Sequence, residues 1–218
     1  QAQLLYPPYT RKEPETLTVN RGNIDALPGT RVLVHGSSNK PLRSAALTVN
    51  GHTTPIVLNK KSRSVTTEFT VNNNGSYSLS LTDREPEAFN NHRSRVEYEI
   101  QTIPDLMPEV TFEQPTSHQR VTAHARVPLR IMTRDDWGIA TITLRYQQQD
   151  TPTDVPSSIL LYDEADRPLQ KSTDFIWHLD QLPLHPGSTL HIHAEATDYD
   201  NINGPHTGKS ELLRLEIV

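Results

Sequence analysis

The chain contains no cysteine. That excludes disulfides, thiolate metal sites and a cysteine nucleophile, together with the Cys-Trp-Cys framework of antibody domains. No apolar run approaches the ~20 residues that a membrane-spanning helix needs, and no signal peptide is visible. Glycine is scarce, at 9 of 218 residues, and falls mostly in turns, so no glycine loop of the phosphate-cradling kind can be drawn. Excess positive charge is missing too. The formal net charge is −5 and the pI about 6.1, no basic stripe stands out, and nucleic acid is not an expected partner. A Gly-x-Ser-x-Gly elbow is absent, and serines and histidines scatter without a local signature. No enzymatic activity is expected.

Proline is plentiful, at 17 residues. It breaks helical ladders and suits loops and edge strands, which argues against long helices. Outside short pieces such as Pro86–Asn90, no segment has 3.6-residue periodicity. What runs through the chain is alternation of period two, the mark of strands with one buried face. It is clearest between Ala125 and Tyr146. There Val127, Leu129 and Ile131 alternate, an Arg134-Asp135-Asp136-Trp137-Gly138 turn follows, and Ala140, Ile142, Leu144 and Tyr146 alternate again. The same plan occurs about a hundred residues earlier, with Val32 and Val34, a Ser-Ser-Asn-Lys-Pro turn, then Ala45, Leu47 and Val49.

The length suits two domains of about 100 residues. Residues 1–15, with Tyr6-Pro7-Pro8-Tyr9, form an extended leader, read as a packed leader strand, with a polyproline ligand for another domain as the alternative. Residues 16–104 hold strands at Thr16–Val19, Thr30–Gly36, Arg43–Asn50, Thr54–Leu58, Ser64–Val71, Ser76–Thr82 and Arg95–Thr102. Asn50-Gly51 suits a two-residue hairpin turn, in which both positions need positive φ. Asn74-Gly75-Ser76 fits a glycosylation acceptor and equally an asparagine-rich turn. Two prolines bracket the joint, Ile103 to Pro108. Residues 105–218 repeat the plan at Glu109–Glu113, Arg126–Thr133, Ile139–Gln147, Ser157–Tyr162, Asp174–Leu179, Thr189–Thr197 and Glu211–Val218. Seven short strands per unit predict an all-β chain of two tandem β-sandwiches, arising by duplication. Trp177 is expected at the centre of the second core. Trp137, beside two aspartates, either caps that core or is exposed for a partner.

In a sandwich of this kind the second-to-third, fourth-to-fifth and sixth-to-seventh connections gather at one end. In the second unit that end carries Asp135 and Asp136, then Asp163, Glu164 and Asp166, then Asp198, Asp200, Asn201 and Asn203. Clustered carboxylates suit calcium, which takes six to eight oxygens, and Asp135, Asp136, Asp163, Asp166, Asp198 and Asp200 are its candidate ligands. The other reading is structural: Asp and Asn are turn residues for local reasons, and Arg134, Arg167 and Lys171 can pair with the acids. His191, His193 and Glu195 share one strand face and form a second, zinc-type candidate.

Several segments together resemble a known family. These are Tyr6-Pro7-Pro8-Tyr9-Thr10, Gly22 to Val32, Asn39-Lys40-Pro41-Leu42, Pro108-Glu109-Val110, Asp135-Asp136-Trp137-Gly138-Ile139 and Ala196-Thr197-Asp198. They resemble the immunoglobulin-like segment of a domain-of-unknown-function family of large bacterial membrane-anchored proteins. The resemblance implies immunoglobulin-like sandwiches in the middle of a longer envelope protein, extracytoplasmic, with membrane contact only through segments outside this one. It implies no activity and transfers no ligand residues. The start at Gln1-Ala2-Gln3 fits a fragment. Ala196-Thr197-Asp198-Tyr199-Asp200 is also similar to the Ala-x-Asp-x-Asp calcium motif of cadherin repeats, whose other ligand motifs are absent here. The expected function is a non-catalytic structural or interaction module with a protein partner. A calcium-stiffened adhesion module and a carbohydrate-binding accessory domain using Trp137 are the alternatives.

Overall fold

The structure, a computed structural model, describes residues 1–18, 21–59, 62–84, 96–149 and 156–218. The helical piece expected at Pro86–Asn90 lies outside these residues, as do the expected strand ends Val19 and Arg95. The chain divides into two compact units, Gln1–Pro104 and Asp105–Val218. Among the described residues helix is confined to single 3-10 turns such as Pro8–Thr10 and Leu179–Gln181. No helix among them is long and apolar enough to cross a membrane.

The first unit contains β1 (Ala2–Leu5), β2 (Glu15–Thr16), β3 (Ile24–Ala26), β4 (Arg31–Ser37), β5 (Leu42–Val49), β6 (His52–Ile56), β7 (Ser64–Thr70), β8 (Gly75–Asp83) and β9 (Tyr98–Thr102). They form two sheets, ordered β2-β1-β4-β7 and β3-β9-β8-β5-β6. The leader therefore supplies a strand: β1 lies between β2 and β4, with Ala2 and Leu4 in the core. The Asn50-Gly51 hairpin has the anticipated positive φ values, 48° and 81°. Asn74 is tied to the last strand of the unit, since its Oδ1 accepts hydrogen bonds from the Thr102 backbone N–H (2.7 Å) and hydroxyl (2.6 Å). Tyr77 centres the core between Phe69 and Tyr98, at ring separations of 5.1 and 5.3 Å. Its hydroxyl donates to the Gly22 carbonyl at 2.8 Å. Val96, expected in the last strand, is exposed because that strand begins only at Tyr98 and is sealed by Ile100.

The second unit contains β10 (Glu109–Gln114), β11 (Gln119–Val121), β12 (Arg126–Arg134), β13 (Ile139–Gln148), β14 (Ser157–Tyr162), β15 (Gln170–His178), β16 (Thr189–Asp198), β17 (Thr207–Lys209) and β18 (Leu213–Ile217). Its sheets run β10-β12-β15 and β11-β18-β16-β13-β14, with β17 also on β16. Pro128 sits in β12, whose ladder with β10 covers only Arg130–Arg134, so the missing N–H falls beyond that ladder. Trp177, 3% exposed, packs on Tyr146 at 5.0 Å among Val127, Leu129, Leu190 and Leu215.

Strand for strand the units match. Setting β1 on β10, β3 on β11, β4 to β8 on β12 to β16 and β9 on β18 reproduces one order, including the parallel pairing of β3 with β9 and of β11 with β18. Both are immunoglobulin-like β-sandwiches, and the chain is all-β. The match extends to an irregularity. β5 and β13 each open with a register shift against their neighbour, between Leu42 and Ser44 and between Ile139 and Thr141. A bulge inserts one residue and resets the parity. Ile139, rather than the expected Ala140, therefore enters the core beside Ile142, and Leu42 does so in the first unit. The residues facing the two openings are Asp83 and Asp198, buried aspartates that each follow a threonine at the end of the strand.

Candidate functional site

The three acidic connections of the second unit do meet at one end. The Ile139 N–H donates to the Pro168 carbonyl and the Asp135 N–H to that of Leu169, both at 2.9 Å. The Tyr199 hydroxyl donates to the Glu164 carbonyl at 3.1 Å. Arg167, with a φ of 51°, lays its guanidinium 4.0 Å over the Tyr199 ring. Gly138 is required there. Its φ is +118°, and a Cβ on it would stand 3.1 Å from the Arg167 carbonyl oxygen.

The six calcium candidates separate into two groups. Asp136, Asp163 and Asp166 are exposed, and Asp166 accepts the Tyr162 hydroxyl. Asp135, Asp198 and Asp200 are buried. Asp135 closes its own turn, its Oδ2 accepting the N–H groups of Trp137 (2.9 Å) and Gly138 (2.7 Å). Burial pushes the Asp135 carboxyl up to about 6, against those two hydrogen bonds and with help from Asp136 and Asp198. Trp137 is half-buried, its ring N–H screened from solvent. The basic residues of these loops do not neutralise the acids. Lys171 lies over the Tyr162 ring at 4.4 Å, and no ion pair joins Arg134, Arg167 or Lys171 to the six aspartates among the described residues.

Asp135 gives a pH prediction. Its folded carboxyl titrates near 6 and an unperturbed one near 3.8. The folded state thus holds the proton more tightly in that interval. The contribution to stability is fullest below pH 4 and is lost as pH rises to 6, on the order of 2 kcal/mol. Urea denaturation of Asp135→Asn across pH 4–7 is expected to lack this slope; unchanged slopes would contradict the assignment.

The connection after β16 is organised by Asp198 and Asp200. Asp198 Oδ1 accepts the N–H groups of Asp200 (3.0 Å) and His206 (2.9 Å). Asp200 Oδ1 accepts those of Ile202 (2.7 Å) and Asn203 (3.4 Å). These are the short-range Asx contacts expected of aspartates in loops. The second oxygens are different. Asp198 Oδ2 lies 2.7 Å from His206 Nδ1 and Asp200 Oδ2 lies 4.0 Å from it. Burial works against an imidazolium there, but the Asp198 hydrogen bond and the charges of Asp198, Asp105 and Asp200 hold His206 above its usual range. Asp105, Asp200 and His206 each offer one ligand atom, and these atoms lie within 4.8 Å of one another. No other three acidic or histidine side chains do so among the described residues. Sequence reasoning found Asp198 and Asp200 here but missed Asp105, read as part of the joint, and His206, which carries no motif.

The zinc-type triad on β16 is otherwise engaged. Arg145 (2.8 Å), Lys209 (2.9 Å) and His193 (3.2 Å) surround the Glu195 carboxylate. Burial alone would raise that carboxyl, yet these partners outweigh it and hold it at about 2. His191 Nδ1 faces the Gln149 amide at 3.0 Å.

No family model and no curated protein matches the sequence. Among solved structures the chain is similar to the fibronectin(III)-like modules of Clostridium thermocellum CbhA, at 13% identity over 93% of each chain with a TM-score of 0.32. A chimeric titin Z1Z2 tandem is similar at 10% identity over 90% of this chain and 95% of that one, TM-score 0.28. A DUF4785 family protein from Legionella pneumophila is similar at 10% identity over 86% of this chain and 53% of its own, TM-score 0.30.

Proposed function

We propose that the chain is a non-catalytic structural and interaction module, an extracytoplasmic segment of a membrane-anchored bacterial envelope protein. The supporting observation is one eight-strand plan built twice in succession across a joint bracketed by Pro104 and Pro108. Such a scaffold works by presentation: packed sheets hold loops and sheet edges where a protein partner meets them. The edge strands β6, β7, β14 and β15 carry backbone donors and acceptors that a partner strand can take up. The resemblance carried by Tyr6–Thr10 and Asp135–Ile139 supports the envelope setting.

The missing cysteines make the setting testable. Thr54, exposed on β6, accepts a cysteine with no competing thiol in this chain. In the full-length protein Thr54→Cys is expected to react with a membrane-impermeant maleimide in intact spheroplasts. Labelling that appears only after lysis would overturn the extracytoplasmic assignment. Replacing residues 1–218 by an unrelated tandem sandwich tests the interaction role: the proposal expects cross-linking to the partner to be lost, and undiminished cross-linking would leave only a spacer.

A further inference from the structure

We infer that Asp105, Asp200 and His206 form a divalent-metal site of the zinc class in the second unit, with Asp198 orienting the histidine. The inference does not depend on the spacer reading.

Internal duplication provides the comparison. In the first unit the buried Asp83 at the end of β8 has Lys40 3.8 Å away, from the turn between β4 and β5. In the second unit the equivalent residue is Asp198, and the equivalent turn brings another acid, Asp135. The lysine position has no cationic replacement. Asp105 and Asp200 stand at the same end, and His206 is the basic group held against Asp198 and Asp200 among the described residues. Even as imidazolium it puts one positive charge against the two buried carboxylates of Asp198 and Asp200. A divalent ion supplies the balance.

Asp200 points to a ligand independently of that charge count. It is 1% exposed, and its Oδ2 has no hydrogen-bond donor although its Oδ1 has two. A buried carboxylate oxygen with nothing to accept is costly, and ions or waters ordinarily account for such an atom. Size fits as well. Metal bonds of about 2.0–2.2 Å place tetrahedral donors about 3.5 Å apart. The three ligand atoms already stand within 4.8 Å, so small side-chain rotations close the set.

Donor chemistry selects the metal. Calcium takes hard oxygens and six to eight of them. Two carboxylates and an imidazole suit zinc and its neighbours. Asp198 Oδ2 accepts from His206 Nδ1, which fixes the tautomer and leaves a lone pair on Nε2, the carboxylate–histidine–metal arrangement once the ring turns that nitrogen toward Asp200, whose Oδ2 stands 4.0 Å from Nδ1. Three protein ligands leave a fourth position for water or for a donor from a partner.

The test uses the tag-free chain stripped with a chelator, then titrated with zinc by calorimetry and with cobalt(II) by its visible absorption. One zinc per chain is expected, with a melting temperature raised by about 5 °C or more at saturation. Asp200→Asn and His206→Gln are each expected to weaken zinc binding by roughly 10–100-fold or more. His191→Gln and His193→Gln change nothing, and calcium in excess does not displace cobalt. Asp105→Asn, which leaves the loop after β16 intact, provides a second route to the same loss. Without metal, Asp200→Asn is expected to melt at or above the parent, because it removes an uncompensated buried charge. Absence of saturable binding would overturn the site, leaving His206 as the resident cation. So would zinc affinity unchanged in Asp200→Asn and His206→Gln, or a cobalt spectrum lost in His191→Gln instead.

Discussion

Trp177→Ala is expected to destabilise the second unit by about 3–5 kcal/mol, the range for deleting a large buried aromatic side chain. The indole is 3% exposed and stands opposite Val127 in the β12–β15 ladder. It packs beside Leu129 of its own sheet, faces Leu190 and Leu215 of the other sheet and touches the Tyr146 ring. Removing it leaves a hole bounded by both sheets, which cannot close without bending one of them. Denaturation by urea, followed by circular dichroism, reads the loss. Trp177→Phe keeps part of the volume and is expected to fall between the two. Trp137→Ala is the control: that side chain is half-buried at a loop end, and about 1 kcal/mol is expected. Equal losses for the two tryptophans would remove Trp177 from the centre of the core.

The second large effect is at Gly208. It is buried in β17, and a Cβ there would stand 1.6 Å from the carbonyl oxygen of Pro108 and 2.6 Å from its carbonyl carbon. Both are backbone atoms, so no side-chain rotation relieves the overlap. Gly208→Ala must displace either β17 or the segment leading into β10, at an expected loss of about 3 kcal/mol. Gly187→Ala separates crowding from backbone conformation. Gly187 has a φ of +95° and open space around it, so only the left-handed strain of about 1–2 kcal/mol applies. Thermal denaturation of the two variants side by side checks the order; Gly208→Ala at or below Gly187→Ala would refute the close approach.

Much of the fold was legible because half-buried strands advertise themselves by alternation. Val127, Leu129 and Ile131 are all buried, and every strand expected in the second unit is present. The misses have definite causes. Strands of three residues, Ile24–Ala26, Gln119–Val121 and Thr207–Lys209, are too short to show a period, and the first two gain their partners only when the chain returns at its last strand. The bulges after Leu42 and Ile139 change the parity within a run, so alternation assigned Ala140 to a place that Ile139 takes. At the acidic end, loop convergence followed from sandwich topology, but side-chain use did not. Composition could not divide the buried Asp135, Asp198 and Asp200 from the exposed Asp136, Asp163 and Asp166. Nor could it bring Asp105 to His206, a hundred residues away along the chain. One signal was available: the Thr-Asp pair ends both β8 and β16, with Lys40 near one and no such lysine near the other.

The parallel pairing of β3 with β9 and of β11 with β18 has a mechanical meaning. Gln119, Arg120 and Val121 lie beside Leu215, Glu216 and Ile217, and Ile24, Asp25 and Ala26 lie beside Ile100, Gln101 and Thr102. Tension applied at opposite ends of two parallel strands slides one along the other and loads the ladder bonds together, instead of opening them in turn like a zip. A chain stretched between two anchors would therefore meet one such shear clamp per sandwich.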